Sequence, residues 1–148
     1  DFDLTRDLGL LYANTECGIF GVLPEKNRPE AVWEAIPVAR RTEVRTGKAV
    51  ILANCRGNEV CAYEIEIEKL YGGSAPTRNL LLRVTDPALI ALTGGIVQGM
   101  SGSPIVQDGK LVGAVTHVLL DDPQRGYGIL AENMLSASGM TAQSAASA

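Results

Sequence analysis

The chain has 148 residues, 46% hydrophobic and 20% charged, with a formal net charge of −4. That length fits one domain, the composition excludes a largely disordered chain, and the charge argues against a basic surface for nucleic acid. The longest apolar-rich stretch, residues 111–120, carries His117 and falls well short of the roughly 20 residues a membrane-spanning helix needs. Alternation with a period of two dominates and predicts strands, in chain order, at residues 17–23, 32–39, 49–55, 60–69, 80–85, 104–107, 111–119 and 127–130. Trp33, near Ile36 and Val38, is expected to face the core. Arg56-Gly57-Asn58-Glu59 predicts a hairpin turn. In the strand after it, Glu64, Glu66 and Glu68 alternate with Tyr63, Ile65 and Ile67, so one face is acidic and wet and the other is core. A metal or basic partner on those carboxylates is the lesser reading; solvation is the ordinary one. Asp86 as N-cap, Pro87 at the first helical position and Gly94 as terminator predict one short helix. Asp108-Gly109 predicts a two-residue hairpin, residues 122–126 a second turn, and residues 132–136 a helical turn. Eight short strands with little helix make an all-β architecture, a barrel or a sandwich. From residue 138 the chain reads as a flexible tail.

Cysteine usage is uninformative about compartment. Cys17, Cys55 and Cys61 are odd in number, no two have the spacing of a zinc or redox site, and there is one histidine. Cys55 and Cys61 flank the first hairpin turn and read as small strand residues rather than a facing pair. No cofactor or metal is implied.

Chemistry is concentrated in Gly94-Gly95-Ile96-Val97-Gln98-Gly99-Met100-Ser101-Gly102-Ser103-Pro104. Gly-x-Ser-Gly before a small residue and proline suits a nucleophilic serine. The hydroxyl must stand exposed on a tight loop, and the N–H groups of the serine and of the residue two before it must meet the oxyanion. Ser101 is the candidate nucleophile, with the amides of Gly99 and Ser101 as the oxyanion hole. On composition alone the same stretch is a Gly/Ser loop between a helix and a hairpin. Ser103 lacks the Gly-x arrangement and reads as structural. His117 lies on the second strand of the hairpin that follows, as a cleft-lining or core imidazole or, less readily, the base of a Ser–His dyad.

Taken together, Val84-Thr85-Asp86-Pro87, the run from Thr93 to Ile105, Gly113-Ala114-Val115-Thr116-His117-Val118, Asp122-Pro123 and Gly126-Tyr127-Gly128 resemble the sporulation factor IV B protease (SpoIVB) peptidase family. The resemblance runs from Asn14-Thr15-Glu16-Cys17-Gly18-Ile19-Phe20-Gly21 to Leu135. It implies a trypsin-like serine peptidase β-barrel over residues 1–137, with residues 138–148 as tail. It implies Ser101 as nucleophile and Asp86 as acid, alongside the N-cap role that Asp86 has in its own right. The family's catalytic histidine lies in a His-Gly motif upstream of the Asn-Thr-Glu segment, and His117 is distinct from it. The expectation is therefore an N-terminally incomplete peptidase domain, nearly inactive alone because a serine without its base is a poor nucleophile. The resemblance also implies polypeptide substrates including the chain itself, a PDZ domain in the parent protein, and export to the space between mother cell and forespore in endospore-forming bacteria. The alternative is a non-catalytic barrel that binds an extended peptide at a sheet edge.

Overall fold

The structure, a computed structural model, describes residues 8–28, 34–57, 59–72 and 75–139. Six strands close into an antiparallel barrel in the order β3-β4-β5-β8-β7-β6. They are β3 (Gly47–Arg56), β4 (Glu59–Leu70), β5 (Leu80–Val84), β6 (Pro104–Gln107), β7 (Lys110–Leu119) and β8 (Asp122–Leu130). Closure is made by β3 on β6, where Val50 faces Val106 and Ile51 faces Ile105. A separate hairpin precedes the barrel, β1 (Leu10–Thr15) with β2 (Gly18–Val22). Two helices complete the fold, α1 (Pro87–Thr93) between β5 and β6, and α2 (Ala131–Ala137) after β8.

The period-two pattern explains the core. Inward positions Ile51, Ile65, Ile67, Leu80, Leu82, Ile105 and Val115 are fully buried, and α1 adds Leu89. On the outward face of β4, Glu66 and Glu68 pair with Arg83 of β5, and Glu68 pairs again with Arg125 of β8 at 2.9 Å. Those guanidinium groups, Arg125 above all, hold the Glu68 carboxyl below its usual range. Two buried amides tie the ends together. Asn79 Oδ1 accepts from Leu130 N (3.0 Å) and Asn133 Nδ2 (2.9 Å), while its Nδ2 donates to Ala75 O (2.9 Å). Gln107 Nε2 donates to the carbonyls of Arg45 and Lys48, and its Oε1 accepts from Arg45 N.

Three expectations change. β1 replaces one of the eight expected strands. Over residues 34–40 the expected strand does not form; only Val38 bridges Leu111. Pro37 has no N–H to give a ladder, so the segment is held by Ala39 N to Leu111 O and by Leu111 N to Pro37 O. Trp33 lies outside the described residues. The turn expected at residues 122–126 is strand. The chain reverses at Leu120-Asp121, and Leu119 pairs with Asp122. Pro123 fits there because pairing with β5 reaches only to Arg125, so no partner strand needs its missing N–H. Cys61 sits opposite Ala53, and Cys55 falls at an irregularity in the register, so the two cysteines are not cross-strand partners, in line with their reading as small strand residues.

Candidate active site

Helix α1 delivers the chain to the glycine-rich loop. Asp86 caps it, with Oδ1 accepting from Ala88 N (2.8 Å) and Leu89 N (3.3 Å). Its Oδ2 accepts from Glu64 N of β4 (3.1 Å). These three N–H groups, that of Glu64 first, lower the Asp86 pKa below its ordinary value. No hydrogen bond joins Asp86 to the Ser101 loop among the described residues.

At the other end of α1, Gly94 takes the left-handed conformation and Gly95 passes against β8. A Cβ on Gly95 would lie 2.3 Å from Pro123 O, so only glycine admits this approach. Ile96 N donates to the same carbonyl at 2.8 Å. Two successive turns follow. Met100 N donates to Val97 O (3.1 Å) and Ser103 N to Met100 O (3.0 Å). Gly99 (φ 99°) and Gly102 (φ 91°) occupy the third position of each, where a type II turn demands positive φ. Ile96 and Met100 are buried and anchor the loop, while Gln98, Gly99 and Ser101 are exposed. Gly102 N donates to Val115 O (2.8 Å) and Val115 N to Ser103 O (3.0 Å), which pins the second turn to β7.

This arrangement sorts the loop's amides. The N–H of Met100 is spent inside its turn, whereas those of Gly99 and Ser101 have no hydrogen-bond partner among the described residues. Ser101 Oγ donates to Thr116 O at 3.0 Å. Thr116 is the extra residue of a β-bulge between Val115, paired with Gly128, and His117, paired with Tyr127. Its own hydroxyl lies between the carbonyls of Thr77 (3.0 Å) and Tyr127 (3.2 Å). His117 is exposed, and its imidazole has no hydrogen-bond partner among the described residues. Ser103 is held through its backbone on both sides. Thr116 is the site residue that sequence reasoning missed. Its signal was the break in alternation at Thr116-His117 within an otherwise aliphatic strand.

The barrel that carries this loop is similar in fold to solved proteases. The Rv3671c protease from M. tuberculosis in its active form aligns with a TM-score of 0.58 and 21% identity, covering 90% of this chain and 59% of that one. Its inactive form aligns with a TM-score of 0.56 and 19% identity, covering 88% of this chain and 65% of the other. The chain thus spans about three fifths of the length of the solved proteases it matches. The SpoIVB peptidase S55 family matches residues 2–135, and the chain belongs to that family. No curated protein matches the sequence.

Proposed function

We propose that this chain carries the nucleophile and oxyanion hole of a serine endopeptidase. The observation that carries the reading is the pairing of an exposed Ser101 hydroxyl with two unengaged N–H groups, at Gly99 and Ser101, on one pinned loop. In the reaction Ser101 Oγ attacks the scissile carbonyl carbon and loses its proton to a histidine base. The carbonyl oxygen becomes an oxyanion and accepts from the Gly99 and Ser101 N–H groups. The base returns the proton to the leaving amine, and water then hydrolyses the Ser101 acyl-enzyme. The family resemblance puts that base in a His-Gly motif upstream of Asn14, and these 148 residues contain one imidazole, His117. Asp86, at the position that matches the family acid, enters as the carboxylate that orients the imidazole. Without the base, these residues hydrolyse peptides slower by several powers of ten. Substrates are polypeptides, the chain itself among them. The family setting adds a PDZ domain and a place between mother cell and forespore.

Covalent labelling by a fluorophosphonate probe, read by intact mass, tests this reading. The intact parent protein, with the upstream His-Gly motif that the family resemblance implies, labels, Ser101→Ala abolishes labelling, and His117→Ala retains it. Loss of labelling in His117→Ala would make His117 the base. No labelling of a folded intact protein would remove the peptidase reading.

A second reading has its own observation. Pairing of β7 with β6 ends at Ala114 and the serine loop covers Val115, so Thr116–Leu119 has β8 on one edge and no strand on the other among the described residues. An extended peptide can add there as a strand. Peptide binding that survives Ser101→Ala, with no product from the unmodified protein, would favour a binding module.

A further inference from the structure

On the outer face of the barrel, one cross-strand row runs from β4 to β7. Lys69 pairs with Leu81, Leu81 with Tyr127, and Tyr127 with His117. Directly opposed residues share a face, so these four side chains form one continuous outward row, while Leu80 and Leu82 turn inward. Tyr71 extends the row, with its ring centroid 6.2 Å from that of Tyr127. Two cations rest on these rings. Lys69 Nζ is 5.0 Å from the Tyr71 centroid, and Arg78 Cζ is 5.2 Å from the Tyr127 centroid. The row beside it differs, because there Arg83 and Arg125 are consumed by Glu66, Glu68 and Asp122. Lys69 and Arg78 have no carboxylate partner among the described residues, and both are exposed.

This shelf adjoins the reacting serine. His117 follows Thr116, whose carbonyl holds the Ser101 hydroxyl. Arg78 follows Thr77, whose carbonyl is 3.0 Å from the Thr116 hydroxyl. A peptide added along the free edge of β7 would present outward side chains beside His117. Strands lie about 4.8 Å apart, so Tyr127 and the guanidinium over it are about two strand spacings from that peptide. A glutamate or aspartate side chain on the peptide, met by the reach of Arg78, spans that interval. The aromatic platform holds the cations in place without neutralising them.

We propose that the shelf of Arg78, Tyr127 and His117 selects an acidic side chain in the polypeptide substrate, two or three residues from the scissile bond. The proposal rests on the serine-peptidase reading above. It makes Arg78 a specificity-determining residue rather than a catalytic one, and its contribution is to binding that is equal in ground and transition states.

The test is cleavage of a defined pool of synthetic tetradecapeptides by the intact protein, with products read by mass spectrometry. Fluorophosphonate labelling of Ser101 is measured in parallel. Cleaved peptides are enriched in Glu or Asp at one fixed position near the cut. For the best peptide, changing that residue to Gln or Asn lowers kcat/KM about tenfold, through KM. Arg78→Ala reduces that preference to about twofold or less, and Arg78→Glu moves it toward Lys, with Ser101 labelling unchanged in both. A labelled protein whose cleavage profile is the same in wild type and variants overturns the proposal and leaves the peptidase reading intact. An intact protein that neither labels nor cleaves overturns both.

Discussion

Asp86 and Gly95 bracket α1, and each makes a separable prediction. Asp86 holds three backbone N–H groups, so Asp86→Ala costs about 1–2 kcal/mol through the lost cap and the stranded Glu64 N–H. Its pKa is lowered in the folded state, from a reference of 3.8. Its contribution is therefore complete above that reference and is lost as pH falls through the lowered folded value. Urea unfolding of wild type and Asp86→Ala should show a gap at pH 7 that narrows below pH 4; a gap unchanged at pH 2 would mean the carboxylate is not its source. Gly95 controls position rather than charge. Gly95→Ala puts a methyl 2.3 Å from Pro123 O at φ 144°, so the loop must move off β8. Ser101 labelling should fall more than tenfold, with stability lower by about 1–3 kcal/mol. Gly57→Ala is the comparison. It is also at positive φ but meets nothing within 4 Å, so it costs about 1 kcal/mol and leaves labelling unchanged. Equal labelling in the two variants would show that contact with β8 does not set the geometry of the nucleophile.

At the scale of elements, one buried amide ties β5, β8 and α2 together. Asn79→Ala leaves the buried Leu130 N without its partner, which costs about 1–3 kcal/mol. Denaturant titration checks this, and a loss under 1 kcal/mol would show that water or rearrangement replaces the amide. Asn79 drew no notice in the sequence, since a lone polar residue before a strand has no pattern of its own. Elements with local punctuation were legible. The Asp86-Pro87 start and Gly94 stop mark α1, the Glu–Ile alternation marks β4, and Asp108-Gly109 (φ 51° and 74°) marks the β6–β7 turn. Elements governed by partners were not. Residues 122–126 look like a turn because Pro and Gly are common in turns, yet a half-unpaired strand admits both. Leu10-Leu11-Tyr12-Ala13 has no alternation, and only its pairing with β2 makes it a strand. The site divides likewise. Gly99, Ser101 and Gly102 were readable because one contiguous loop contains them. Thr116 was not, because a bulge in β7 and the docking of that loop create its part.

Across the whole molecule, the barrel and the β1–β2 hairpin stand in different energetic positions. The barrel closes on itself and buries its aliphatic residues. The hairpin leaves Leu10, Leu11 and Ile19 exposed at 72%, 70% and 64%. Its links to the rest are sparse: Tyr12 Oη donates to Ser138 O at 3.2 Å, and Cys17 Sγ lies 3.9 Å from Pro76 O. A two-stranded hairpin is marginal on its own, because too little apolar surface is removed from water to offset chain ordering. Local opening of the hairpin is therefore expected to need far less free energy than opening of the barrel. Amide hydrogen exchange of the chain should show Leu11 and Phe20 exchanging orders of magnitude faster than Ile65, Leu82 and Val115. Leu10→Ser with Ile19→Ser should leave the barrel's Tm within about 1 °C and reduce binding of a hydrophobic dye, because those side chains cover nothing in the barrel core. Hairpin amides as slow as those of the barrel, in the wild type but not in the double variant, would show that the apolar face is covered in solution, and sedimentation would tell whether a second copy covers it.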